Sequence, residues 1–135
     1  MHCYNRKTGR KRTYTLDYSN RHSLSCNAVY SLCEDRDGGL WIGTYFGGVN
    51  YLSPNTQYFS RFYATGQQNS LSGNVVREIV EDRSGNLWIG TEDNGLNYYD
   101  SATGEFRNYN PENSNLTYHN IHGLYLDDDT LYVGY

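Results

Sequence analysis

The feature that most constrains this chain is that it repeats itself. Residues 22–52, HSLSCNAVYSLCEDRDGGLWIGTYFGGVNYL, align without a gap on residues 69–99, NSLSGNVVREIVEDRSGNLWIGTEDNGLNYY. Leu24 pairs with Leu71, Asn27 with Asn74, Glu34-Asp35 with Glu81-Asp82, and Leu40-Trp41-Ile42-Gly43-Thr44 with Leu87-Trp88-Ile89-Gly90-Thr91. Asn50-Tyr51 likewise matches Asn97-Tyr98. A third copy begins at Asn115-Leu116-Thr117 and runs to Leu131-Tyr132-Val133-Gly134, one residue shorter in the turn Asp127-Asp128-Asp129-Thr130. Near the N-terminus, Tyr4-Asn5-Arg6-Lys7-Thr8-Gly9-Arg10 aligns with Tyr99-Asp100-Ser101-Ala102-Thr103-Gly104-Glu105, and Tyr14 with Tyr109. A period of this length marks an array in which each unit buries its apolar faces against its neighbours.

Each unit divides into four short strands. In the second complete unit they are expected near 74–81, 86–91, 95–100 and 105–109, separated by Asp82-Arg83-Ser84-Gly85, Asp93-Asn94-Gly95 and Asp100-Ser101-Ala102-Thr103-Gly104. Glycine at such points supplies the positive φ that tight hairpins need. Strand and turn alternating every ~10 residues describe an up-and-down sheet. Val75-Val76 and Leu87-Trp88-Ile89 are apolar on consecutive positions, so both faces of the sheet are buried. No stretch shows helical apolar periodicity. The expected fold is all-β: a β-propeller fragment of four-stranded antiparallel blades, about three of them, with the ring not closed. The expected divisions are 1–18 (terminal strands of a preceding blade), 19–65 and 66–112 (complete blades) and 113–135 (an incomplete blade). A β-sandwich is the rival fold, but it gives no reason for near-identical modules.

Charge is unevenly spread. Residues 1–25 carry Arg6, Lys7, Arg10, Lys11, Arg12 and Arg21 against Asp17, while the remainder is acidic and the whole chain has a net charge of −4. An acidic body repels phosphate, so no nucleic-acid partner is expected. Arg10 to Arg12 read instead as an exposed outer strand whose charges discourage edge pairing. No apolar run reaches the ~18 residues of a membrane helix, and Met-His-Cys-Tyr-Asn-Arg-Lys lacks a signal-peptide core. Cys26 and Cys33, read as lying in one extended strand, would be ~23 Å apart, too far for a disulfide. All three cysteines, Cys3 included, are expected to be small buried hydrophobes.

The pattern N-x-V-x-x-I-x-E-D-x-x-G-x-L-W-I-G-T-x-x-x-G-L-x-Y, present from Asn74 to Tyr98 with a close copy from Asn27 to Tyr51, resembles the two-component regulator propeller repeat. The resemblance implies a large propeller in the extracytoplasmic sensor portion of a hybrid two-component system of Bacteroides-type bacteria. Such systems respond to breakdown products of complex carbohydrates. It also implies a periplasmic location and a parent protein with a histidine kinase elsewhere.

Most recurring residues have structural explanations. Trp41 and Trp88 are expected to pack blade on blade, Gly43, Gly90 and Gly134 to admit close backbone approach, and Asp35 and Asp82 to cap turns. Adjacent carboxylates on a strand point to opposite faces, which argues against Glu34-Asp35 and Glu81-Asp82 as a glycosidase pair. Asp35-Arg36-Asp37-Gly38-Gly39 resembles half a calcium loop, but calcium takes about 6–8 oxygens and no full set appears. No catalytic, metal or cofactor site is therefore expected. Positions that vary between repeats are the candidates for ligand contact: Tyr45, Phe46, Arg77, Glu92, Asn94 and His119. Aromatic rings stack on sugar faces, while Arg, Glu, Asn and His hydrogen-bond hydroxyls. The expected role is a non-enzymatic, ligand-sensing propeller segment. Its partners would be an oligosaccharide and further blades, from the parent chain or other copies. A propeller glycan hydrolase or lyase and a passive protein-interaction scaffold are the alternatives.

Overall fold

The structure, a computed structural model, describes residues 1–135 and contains strands but no helix. In chain order the strands are β1 (His2–Tyr4), β2 (Lys11–Thr13), β3 (Val29–Glu34), β4 (Leu40–Thr44), β5 (Val49–Leu52), β6 (Phe59–Phe62), β7 (Val76–Glu81), β8 (Leu87–Thr91), β9 (Leu96–Asp100), β10 (Glu105–Tyr109), β11 (Gly123–Asp127) and β12 (Thr130–Gly134). They form two complete four-stranded sheets, β3-β4-β5-β6 and β7-β8-β9-β10, flanked by the hairpins β1-β2 and β11-β12. All pairings are antiparallel between sequence neighbours. The strand β7 packs on β3 and β4 of the preceding sheet and on β11 of the following one. The sheets therefore fan around a common inner edge formed by β3, β7 and β11. This is an unclosed β-propeller.

The core lies between blades. Trp41 and Val49 of the first complete sheet pack with Leu71, Val76, Ile79, Leu87 and Ile89 of the second, with Phe62, Tyr99 and Phe106 around them. On the other face of the first sheet, Leu24, Ile42 and Phe59 receive Met1 and Tyr14 from the β1-β2 hairpin. Tyr14 meets Phe59 edge-on at 5.3 Å. That hairpin occupies the place of the outer two strands of a preceding blade. Its second strand, Lys11–Thr13, is exposed throughout, as its charges lead one to expect.

The recurring polar residues stitch each blade together. Asp35 accepts from the backbone N–H of Asp37 and Gly39 at 3.0 and 2.9 Å, and from Trp41 Nε1 at 3.0 Å. Asp82 does the same for Ser84, Asn86 and the Tyr98 hydroxyl, each at 2.9 Å. Gly85, at φ 83°, closes that turn in a conformation that other residues adopt only with strain. The fully buried Asn50 and Asn97 each clamp a serine of the incoming S-L-S segment. Ser25 N–H donates to Asn50 Oδ1 at 3.0 Å and Ser72 N–H to Asn97 Oδ1 at 2.9 Å. The amides donate back to the serine hydroxyls at 2.7 and 3.0 Å. Each clamp holds Leu24 or Leu71 in the core.

Two expectations need correction. Cys26 precedes β3, which begins only at Val29, and none of the three cysteines is buried, Cys3 being exposed on a terminal hairpin and Cys26 and Cys33 half-buried. The inner strand of the second blade likewise starts at Val76, two residues later than expected. The reason is shared: Asn27 and Asn74 accept from Leu16 N–H and Ala64 N–H, both at 2.7 Å. They tether the chain as it crosses between blades instead of joining the ladder. All three cysteines are free thiols.

Gly43 on β4 and Gly90 on β8 mark where the second strand of one blade touches the chain entering the inner strand of the next. A methyl at Gly43 would clash first with Ser31 Oγ of its own sheet and would lie 2.8 Å from Val76 Cγ1 and 3.0 Å from its carbonyl oxygen; at Gly90 it would lie 2.6 Å from Ile121 Cγ2. Gly134 faces no such neighbour, its nearest contacts being at 3.7 Å. Gly43→Ala is therefore expected to destabilise by about 1–3 kcal/mol through overpacking, and Gly134→Ala by far less. Urea titrations followed by far-ultraviolet circular dichroism check the order.

Candidate functional site

Four of the six candidate residues come together on the inner edge. Pairing of β3 with β4 shifts register between Val29 and Ser31, and that of β7 with β8 shifts between Val76 and Glu78. A β-bulge re-aims the extra residue, here Tyr30 and Arg77, towards the loop that joins the second and third strands. Arg77 Nη1 lies 3.7 Å from Glu92 Oε2, and its guanidinium sits 5.1 Å over the Tyr30 ring. Tyr30 packs on Tyr45 at 5.3 Å, and Tyr45 on Phe46 at 4.1 Å. From the third blade, His122 Nε2 approaches Glu92 Oε1 at 3.7 Å, and Asn120 Nδ2 donates to the Glu92 carbonyl at 2.6 Å.

The result is a continuous surface stripe, Phe46-Tyr45-Tyr30-Arg77-Glu92-His122, crossing three blades. It has an aromatic half and a charged half. Its aromatic members stay exposed, Phe46 the most at 65%. The ion pairs at its charged end are open to water, so each contributes little to stability. Beside them, partial burial raises the Glu78 carboxyl above the usual range, and the Arg77 charge acts in the opposite direction.

Asn94 and His119 do not join the stripe. Asn94 is exposed and uses its backbone N–H to bond Thr91 Oγ1 at 3.0 Å. His119 Nε2 pairs with Glu112 Oε2 at 2.9 Å, and its carbonyl accepts from Gly95 N–H at 2.7 Å. His119 occupies the repeat position of Asn74, and Pro111 that of Ala64. A proline has no N–H to tether, so this blade crossing is held by a different pair. Tyr30 and His122 were missed as candidates although a signal existed. Both occupy the Arg77 column of the repeat, which reads Tyr, Arg, His across the three copies.

The sequence profile described as "Two component regulator propeller" matches residues 23–46 and 70–93. Each match falls within one complete blade, so both blades are similar to the two-component regulator propeller repeat. The matched segments run from the S-L-S clamp to the second loop, and so contain Tyr30, Tyr45, Phe46, Arg77 and Glu92.

Solved structures containing similar propellers include the extracellular domain of the hybrid two-component system BT3049 from B. thetaiotaomicron. It is 28% identical with a TM-score of 0.83, and the match covers 93% of this chain and 18% of that one. The extracellular domain of BT4673 from the same organism is 23% identical with a TM-score of 0.76, over 99% of this chain and 19% of that one. PorZ, a surface component of the type-IX secretion system of Porphyromonas gingivalis, shares the fold at 23% identity and a TM-score of 0.67, over 93% of this chain and 19% of its own. The chain thus spans about a fifth of the length of each. A search of curated proteins returns no match. No helix in the chain is long and apolar enough to cross a membrane.

Proposed function

We propose that this chain is a segment of an extracytoplasmic sensor propeller whose inner-edge stripe binds an oligosaccharide released from a complex carbohydrate. The observation that carries this reading is the composition of the stripe. Exposed Phe46, Tyr45 and Tyr30 offer ring faces to a pyranose, while Arg77, Glu92 and His122 offer donors and acceptors to its hydroxyls. Because the stripe draws on three blades, an occupant touching both halves would bias the packing of one blade on the next. Blade packing is in turn the kind of two-state element a ligand can shift. The likeness to extracellular domains of hybrid two-component systems supports placing the output in a kinase elsewhere in a longer protein. Asn94 and His119 would contribute at the rim, outside the stripe.

Calorimetric titration of neutral and uronic-acid-containing oligosaccharides against the protein tests this. The expected result is saturable binding without product release. Joint Tyr45→Ala and Phe46→Ala substitution should weaken it roughly tenfold or more, as loss of aromatic anchors does. Turnover of the sugar in the cell, or affinity untouched by the substitutions, would overturn the proposal.

A further inference from the structure

At the outer rim, the strand β2 and the outer half of the first complete blade enclose a polar cleft. Its two parts share Arg12 and Gln57. One, of about 550 Å³, is walled by Arg12 and the segment 54–58. The other, of about 340 Å³, runs inward past Tyr14, Asn20 and His22 to Phe59. We infer that this cleft is a second carbohydrate site, separate from the inner-edge stripe, and that it takes an oligosaccharide carrying a sulfate or carboxylate group.

Charge is the first argument. The chain is net acidic at −4, and its ion pairs join Arg77, Arg83, His119 and His122 to carboxylates. None of those pairs uses Arg10, Lys11, Arg12 or Arg21. The Arg12 guanidinium donates to the Tyr14 hydroxyl at 3.4 Å, which leaves most of its planar fork of donors unspent. Asp17 is the one acid lining the cleft. Its Oδ1 is taken by the N–H and hydroxyl of Ser19, at 2.9 and 2.7 Å, inside its own loop.

The repeat shows that this charge belongs to this cleft and not to the fold. In aligned columns Arg10 corresponds to Tyr58 and Glu105, Arg12 to Ser60 and Arg107, and Asn5 and Ser53 to Asp100. The equivalent cleft between the two complete blades therefore has Tyr58 and Ser60 on one wall and Asp100 and Glu105 on the other. Where that cleft is acidic, the first sets two arginines against a wall without a carboxylate. Arg10, Arg12 and Tyr58 are exposed, so core packing does not dictate the exchange.

The second argument is a ring face held in place beside those cations. His22 packs on Tyr58 with ring centroids 5.1 Å apart, and Tyr58 stays 64% exposed. His22 is pinned at both ends, its N–H donating to Asn20 Oδ1 and its carbonyl accepting from Phe59 N–H, each at 2.9 Å. Arg61 ties the same loop to β6 through the Ser23 carbonyl at 2.9 Å and the Ser23 hydroxyl at 3.0 Å. A pyranose lying on Tyr58 meets the amides of Asn55 and Gln57 with its hydroxyls. Its acidic group meets the Arg12 fork, which matches planar oxyanions. An acidic peptide would satisfy the arginines without using the ring face, so the charged sugar fits the whole cleft better.

Calorimetric titration with matched disaccharides, unmodified, O-sulfated and uronate-bearing, tests the site. The expected result is saturable binding of a charged member, roughly tenfold or more tighter than the unmodified one and weakened by added salt. Arg12→Ala and Tyr58→Ala alter exposed side chains. Each should weaken that binding roughly tenfold while leaving the circular dichroism spectrum unchanged. Tyr45→Ala with Phe46→Ala should leave it intact, because those rings belong to the stripe. If only the stripe substitutions reduce it, the charged sugar sits at the inner edge and the proposal fails. Equal affinity across the three disaccharides, no saturable binding of any, or a glutamate-rich peptide bound as tightly as the sugar would also overturn it.

Discussion

Trp41→Ala is expected to lower the unfolding free energy by about 3–5 kcal/mol, the usual cost of emptying a large aromatic site in a core. The ring is nearly inaccessible at 6% exposure. It sits 4.5 Å from Tyr51 and 5.6 Å from Phe62 in its own blade, and 5.4 Å from Tyr99 in the next. Its Nε1 donates to Asp35, so truncation also strips a partner from the turn-capping carboxylate. Domains of this size are stable by only about 5–15 kcal/mol, and the loss falls on the one surface that couples the complete blades. The same change at Trp88 should cost clearly less, since its outer side meets an open groove. Urea unfolding followed by circular dichroism checks both. Equal losses at the two positions would mean that the contact across blades contributes nothing beyond burial within a sheet.

The contrast between the two tryptophans also shows what a repeat makes legible. Where the blades agree, the sequence carries the reason for the agreement. Gly43 and Gly90 recur because Val76 and Ile121 leave no room for a side chain. Asp35 and Asp82 recur because each closes a hairpin through two backbone donors. Strand order, turn positions and blade-to-blade packing could therefore be read from aligned columns. The tethering role of Asn27 and Asn74 was hidden, because their partners Leu16 and Ala64 lie in the preceding blade and follow no motif. The stripe was half hidden for a related reason. Tyr45 and Glu92 stand out as loop residues that differ between copies. Tyr30 and His122 matter only because a bulge and a blade-to-blade step bring them beside Tyr45 and Glu92. Exposed residues that differ from blade to blade have no common core contact to preserve, and sequence periodicity is silent about where they converge.

Asn97→Ala should be the most damaging polar substitution, at about 2–4 kcal/mol. The side chain is fully buried and spends both ends. Its oxygen accepts from Ser72 N–H at 2.9 Å and from Asn108 Nδ2 at 2.6 Å; its nitrogen donates to Ser72 Oγ at 3.0 Å and to the Ile89 carbonyl at 3.4 Å. Alanine leaves the Ser72 N–H and one of the two Asn108 amide hydrogens without an acceptor, the other keeping the Ser70 carbonyl at 3.0 Å, and each orphaned donor costs roughly 1–3 kcal/mol where it is shielded from water. Asn50 is the internal control. It clamps Ser25 in the same way, but its neighbour at the Asn108 position is Arg61, which like Asn108 donates to the carbonyl of the first serine of the segment, and also to the Ser23 hydroxyl, but makes no bond to Asn50. Removing Asn50 therefore orphans fewer groups, and Asn50→Ala should be milder than Asn97→Ala by about 1 kcal/mol. If urea midpoints place the two variants in the opposite order, the clamp's value lies in holding the S-L-S segment against the sheet rather than in satisfying the fourth strand, and Ser25→Ala should then be as costly as Asn50→Ala.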